Sequence, residues 1–343
     1  MTNKLMKAIG VYKALPIDDR NALVDLEVPV PIPGALDLLV QVQAISVNPA
    51  DYRVRGRKPD DGNYAILGWD AAGTVIAVGS GVSQKFSLGD AVYYAGDLNR
   101  PGTNSEFHVV DSRIVGHSPR TLSVEQAAAV PLAALTAWEA LFDRMGLSIS
   151  GNNRLHSLLI VGGAGGTGSM AIQLASLIPD IIVIATASRP ESRSWCYSLG
   201  AAEVIDHFGD MRQQLAQLGH HSVDAILLLN DSDGHFPSVA QILAPQGHLC
   251  SIVPFDTAPD LNLIMRKSAT FSWEFMFTRP MFTTADITAQ QTILNQVAAL
   301  IDAGRIVSVT SETLKPINAH NLRMAHHRLE TRRTLGKVTL TGF

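Results

Sequence analysis

Residues 158–175 read LLIVGGAGGTGSMAIQLA and hold the strongest chemical signal in the chain. Gly163, Gly165 and Gly168 fit a G-x-G-x-x-G spacing, with Ala164, Gly166 and Thr167 between them. An apolar, strand-like run precedes these glycines and a helical composition follows, which is the context the spacing needs. There the first glycine permits a tight turn and the second lets backbone approach a pyrophosphate. The third lets the helix pack closely on its strand. The helix N-terminus then presents free N–H groups and a positive dipole end to phosphate. The pattern predicts a dinucleotide site.

The next strand identifies the dinucleotide. For NAD, a carboxylate about 20 residues further on holds the ribose 2′-hydroxyl. Ser188 is the twentieth residue after Gly168, and Arg189 follows it. A hydroxyl and a guanidinium suit a 2′-phosphate, so NADPH is the expected cofactor. The alternative is that Arg189 is a solvated helix-start residue and Glu191 takes the ribose.

Other chemistries find little support. His220 and His221 are adjacent, as are His326 and His327, and adjacent helical positions do not share a face. There is no H-E-x-x-H, no Cys at zinc spacing from a His, no G-x-S-x-G elbow and no Walker loop. Two cysteines, Cys196 and Cys250, are too few for a disulfide scaffold or a four-thiolate zinc site. They read as buried thiols.

The elements that must position these residues change character near residue 125. Before it, short β-branched or alternating runs such as LLVQVQAISV (38–47) and TVIAVG (74–79) are split by Gly, Pro, Asn and Asp. That predicts a largely antiparallel β unit. NPADYRVRG (48–56) reads as a short helix with an Asn cap. From 123 onward, apolar strands alternate with helical stretches: SLLIVG, IIVIATA, AEVIDH, VDAILLLN and HLCSIVP. This spacing predicts βαβ units and a parallel sheet buried on both faces. LAALTAWEALFDRM (132–145) reads as one helix. After about 278, a helix at 288–303, a second helical stretch with MAHHRLE and a closing strand GKVTLTG return to the first domain.

The chain has 343 residues, enough for about two domains, and a net charge of −4. No basic excess draws it to nucleic acid or an anionic membrane. No apolar run reaches membrane-helix length, and the start lacks a signal peptide, so a cytoplasmic location is expected.

The segments SVNPADYRVRG (46–56), LGWDAAGTVIAVGSGV (67–82), LGDAVYYAG (88–96) and AAAVPLAALTAWEAL (127–141), the glycine loop and the terminal GKVTL together resemble the medium-chain dehydrogenase/reductase superfamily. The likeness spans essentially the whole chain. It is nearest to the zinc-free quinone oxidoreductase branch, including proteins labelled zinc-type alcohol dehydrogenase-like. It implies an α/β fold: a β-rich GroES-like catalytic domain (1–126), a Rossmann-type dinucleotide domain (127–278) and a return to the catalytic domain (279–343).

Zinc alcohol dehydrogenases hold their catalytic metal with a Cys, a His in a G-H-E segment and a second Cys. The matching positions here are Asn48, Trp69 (in Gly68-Trp69-Asp70) and Leu132, and the cysteines of the second zinc lobe are missing. No zinc is expected. The resemblance implies instead hydride transfer from NADPH to a quinone or an α,β-unsaturated carbonyl. The competing expectations are a zinc-dependent alcohol dehydrogenase and a low-turnover, NADPH-binding redox-sensing protein.

By the same resemblance, Asn48 lies at the nicotinamide end, as a cofactor contact and a catalytic hydrogen-bond donor. Tyr52 is the candidate proton donor, although several relatives carry their tyrosine one position later, at Arg53 here. Asp51 fixes local structure. Thr136 reaches the nicotinamide amide, His207 lies near the adenosine 2′-phosphate, and Asn230 stands at the carboxyl edge of the sheet. Phe275 and Phe277 wall the nicotinamide site, and Lys337 faces the cofactor. The strand-like SATFSWEFM fits a homodimer sharing a sheet edge.

Overall fold

The structure is a computed structural model and describes residues 4–82 and 85–343. The chain forms two compact units, Met1–Leu132 with Phe277–Phe343, and Ala133–Met276.

The first unit is built on the strand Asp37–Ser46. It buries Leu38, Val40, Val42 and Ala44 while Gln41 and Gln43 face water, the period-two pattern of a half-buried strand. It pairs antiparallel with Ala71–Val78, Phe107–Asp111 and Lys337–Thr341. Ala71–Val78 continues to Ala91–Tyr94 and then Gly116–His117, while Lys337–Thr341 pairs in parallel with Thr310–Leu314. The closing strand therefore inserts beside the longest early strand. A smaller sheet joins Val24–Pro29, Leu5–Val11 and Ala65–Ile66.

The second unit is a six-stranded parallel sheet in the order Glu203–Ile205, Ile182–Thr186, Ser157–Val161, Val223–Leu228, Leu243–Ser251, Thr270–Trp273. Every residue of Ser157–Val161 is buried, as an inner strand covered on both faces requires. Leu159, Val161, Ile184, Ile226 and Leu228 pack with Phe236 and Val239 of the helix Ser232–Ile242. The strand order reverses at Ser157–Val161, which opens a crevice at the carboxyl edge there.

Two boundaries differ from expectation. The predicted single helix at 132–145 is α-helical only over Pro131–Trp138 and continues as one π-helical turn, Glu139–Arg144. The strand expected to start at 248 begins at Leu243, because the preceding helix ends at Ile242. No helix among the described residues is long and apolar enough to cross a membrane.

Candidate active site

In the first unit the site residues gather around a buried ion pair. Asn48 caps the helix Pro49–Arg55 with extended backbone, and Pro49 takes the first helical position. The Asn48 N–H donates to Asp51 Oδ2 at 2.5 Å, and the Asp51 N–H donates back to the Asn48 carbonyl at 3.0 Å. The Asn48 side chain points elsewhere. Its Nδ2 donates to Asp70 Oδ2 at 2.9 Å, and its Oδ1 accepts from Lys337 Nζ. Lys337 Nζ also donates to Asp70 Oδ2 and to the Val47 carbonyl, both at 2.9 Å. Asp70 Oδ1 accepts the Leu132 N–H at 2.8 Å.

Asn48, Asp70 and Lys337 are all buried. Lys337 was expected to face the cofactor. Instead its three N–H bonds are all taken inside the unit. Both polar atoms of the Asn48 amide are spent the same way, which removes it as a free donor. The reason is the buried Asp70 carboxylate, whose compensation requires an ammonium and hydrogen bonds at close range. Burial pushes the Asp70 carboxyl up; Lys337, Asn48 and the Leu132 N–H pull it back. Burial likewise raises Asp51, to about 7, against its bond from Asn48 and the Lys337 charge, with the Asp70 charge adding to the rise. Asp51 does fix the helix start, yet its Oδ1 is buried without a hydrogen bond.

Tyr52 is half-buried on the same helix and its hydroxyl takes no part in the network. Phe277 is buried and meets Trp69 edge-to-face at 6.2 Å. Asp70 was missed by sequence reading. Its one local signal was a lone charge in the apolar run LGWDAAG.

In the second unit the glycine loop joins Ser157–Val161 to the helix Gly166–Ala175, which Gly165 caps. The left-handed backbone of the turn falls at Gly162 (φ +90°), not at Gly163 as the spacing suggested. Thr186 of the neighbouring strand fixes that turn. Its Oγ1 accepts the Gly162 N–H at 3.0 Å, and its carbonyl accepts the Gly163 N–H at 3.1 Å. Gly163 is excluded from carrying a side chain by packing, since a Cβ there would stand 2.8 Å from the Ala185 Cβ. At Gly168 a Cβ would lie 2.4 Å from the Gly162 carbonyl oxygen, so helix and loop are in backbone contact. At Gly165 the nearest atom to such a Cβ is 3.8 Å away. That position is open, leaving room for a phosphate beside Ala164, Gly166 and Thr167.

The carboxyl edge brings further predicted residues together. Thr186 pairs with Ile205 in parallel register, and Ser188 and His207 each lie two residues beyond the ends of these adjacent strands. Arg189 opens the helix Pro190–Ser198, and its Nε lies 3.2 Å from Glu191 Oε1. The two alternatives for ribose recognition therefore touch each other. Asn230 stands against Gly162, with its Oδ1 buried and unbonded. Thr136 is buried on Pro131–Trp138, and Phe275 is exposed.

One cluster in this unit had no sequence forecast. The Glu139 and Glu274 carboxyls are both buried, and the Glu139 charge bears on Glu274. Arg144 Nε donates to Glu274 Oε2 at 2.8 Å. Both ends of the π-helical turn thus serve this cluster.

Residues 34–132 match the alcohol dehydrogenase GroES-like domain, and residues 199–340 match a zinc-binding dehydrogenase domain. A zinc-type alcohol dehydrogenase-like protein of Staphylococcus epidermidis is 37% identical over 98% of this chain and 99% of its own length. The chain belongs to the medium-chain dehydrogenase/reductase superfamily. It is an oxidoreductase of that superfamily. A solved protein of Rhizobium etli CFN 42, described as a candidate zinc-dependent alcohol dehydrogenase, is 46% identical over 99% of both chains, with a TM-score of 0.94. The 2-methylene-furan-3-one reductase of Solanum lycopersicum is 27% identical over 88% of this chain and 71% of its own length. Among the described residues, no group of three or more His, Cys, Asp or Glu is arranged to hold a metal ion.

Proposed function

We propose that this medium-chain dehydrogenase/reductase is an NADPH-dependent, zinc-independent reductase of α,β-unsaturated carbonyls or quinones. One observation carries the reading. The three positions that ligate zinc elsewhere in the superfamily, Asn48, Trp69 and Leu132, surround the Lys337–Asp70 pair and offer no thiolate or imidazole. The likeness to a furanone reductase supports an enone substrate.

The nucleotide unit fits the cofactor. Gly165 leaves space for a pyrophosphate, Asn230 Oδ1 is an orphaned buried acceptor, and Ser188 and Arg189 replace the carboxylate of NAD enzymes. When bound, the nicotinamide supplies a hydride. For an enone, the β-carbon accepts that hydride, the C=C pair shifts toward the carbonyl oxygen, and a proton then reaches the α-carbon. Tyr52 is the donor its segment still offers to the developing oxyanion. The Lys337–Asp70–Asn48 network holds the Tyr52 helix at its N-terminus. A homodimer formed along the open edge of Thr270–Trp273, beside exposed Trp273 and Phe275, belongs to the same reading.

The decisive test is NADPH oxidation with a para-quinone and a simple enone, with and without a chelator. Turnover that survives chelation is expected. Loss of turnover on chelation, together with stoichiometric bound zinc, overturns the reading. Gly165→Ala is expected to fold, since its Cβ meets no protein atom closely, and to weaken NADPH binding at least tenfold, about 1.4 kcal/mol.

A further inference from the structure

The carboxyl edge of the parallel sheet carries a pair of imidazoles. His207 follows the strand Glu203–Ile205, and His235 lies in the first turn of the helix Ser232–Ile242, directly after Val223–Leu228. Their rings meet edge-on, with centroids 5.8 Å apart and planes at 89°. Phe208, almost fully exposed, flanks His207 at 4.4 Å. His207 Nδ1 is buried and makes no hydrogen bond within the chain. A buried polar atom left without a partner calls for an explanation, and a ligand atom is one. Ser188 follows the end of the adjacent strand Ile182–Thr186. His235 had no place in the sequence forecast, because only the folded chain brings it to His207.

We propose that His207 and His235 form a proton-coupled receptor for the 2′-phosphate of NADPH. This rests on the NADPH reading above. Burial, and then the proximity of His235, hold His207 below the ordinary imidazole range, and burial does the same to His235. Two carboxylates pull the other way, Asp206 beside His207 and Asp231 at the start of the His235 helix. On the neighbouring strand end, Arg189 and Glu191 pair with each other.

A phosphate monoester carries close to two negative charges near neutral pH, with its second pKa at about 6. Such an anion favours imidazolium and adds a charge-assisted hydrogen bond. The sign follows from linkage. The complex holds the proton more tightly than the free protein, so affinity rises as pH falls through the imidazole range, by at most about tenfold per pH unit for each proton. Protonation of the phosphate itself flattens the rise below about pH 6. NADH has no 2′-phosphate and gains nothing.

The test is calorimetric titration of the full chain with NADPH and, separately, NADH at about pH 8 and about pH 6.5, in buffers of different ionisation enthalpy. NADPH binding is expected to tighten about tenfold at the lower pH and to take up about one proton, while NADH affinity stays level. His207→Asn and His235→Asn each reduce the uptake and flatten the NADPH slope. If one variant fails to fold, the other carries the comparison. NADPH binding that is tight at both pH values, without proton uptake, overturns the receptor and leaves the cofactor reading standing. NADH binding without NADPH binding overturns both.

Discussion

Each unit buries a small ionic cluster, and the two are balanced in opposite ways. In the first unit one cation meets one anion at the core of the network. Lys337 is held by Asp70 Oδ2, Asn48 Oδ1 and the Val47 carbonyl. In the second unit, Glu139 and Glu274 face the single guanidinium of Arg144. Two buried carboxylates that share one guanidinium disfavour ionising together, so the second cluster is completed by a proton. Burial first, and the Glu139 charge second, push Glu274 up to about 9. One cluster is closed by a covalently attached charge, the other by an exchangeable one.

The largest expected effect comes from opening the first cluster. Lys337→Met strands Asp70 as a buried charge and should cost about 3–5 kcal/mol, read from denaturant unfolding. Adding Asp70→Asn should recover part of that loss, because an amide no longer needs the cation. If the double variant is as unstable as Lys337→Met alone, the charge balance is not what Lys337 supplies.

The second cluster is tested by pH. A carboxyl whose pKa is raised on folding stabilises the fold fully below its unfolded pKa. That stability is lost as pH rises through the folded pKa. Asp51 has the same sign but completes its loss near 7. Glu274 is therefore expected to contribute a decline of about 2 kcal/mol between about pH 7 and about pH 9, beside whatever the raised Asp70 carboxyl adds. Glu274→Gln imitates the protonated form and should remove that decline. An unchanged slope would mean that the pair holds no proton.

The smallest effect concerns a buried base that neither cluster uses. His326 is fully buried on the helix Ala319–Glu330, and neither ring nitrogen has a partner. Burial, and then Arg55, lower it to about 3. A depressed base costs stability as pH falls from the ordinary imidazole range toward that value. His326→Leu should make the acid limb of the stability curve shallower and gain about 1 kcal/mol at neutral pH. Destabilisation at neutral pH would show a partner for the ring.

The parts of the fold readable in the sequence were local ones. The glycine loop, its strand and its helix are contiguous, so spacing and context sufficed. The alternation over Asp37–Ser46 and the apolar strands of the parallel sheet were legible for the same reason. Within the loop, the run Gly-Gly-Ala-Gly-Gly leaves the turn position ambiguous, and Thr186, from a different strand, decides it. The Lys337–Asp70 pair was out of reach because its members are 267 residues apart. Each side chain alone fits a solvated charge, so only tertiary contact reveals the network. The acid pair was hidden likewise, with Glu139 inside a convincing helical pattern and Glu274 inside a strand-like one.

The separation of Lys337 from Asp70 also sets an order of events during synthesis. Ribosomes add about 5–20 residues per second, so Lys337 follows Asp70 by tens of seconds. All of Ala133–Met276 is translated within that interval. The second unit is thus fully synthesised while Asn48 and Asp70 still lack their cation. Until the strand Lys337–Thr341 inserts, the nascent chain carries an unfinished sheet edge along Asp37–Ser46 and an uncompensated acid. Completion of the first unit's sheet therefore waits on the strand Lys337–Thr341.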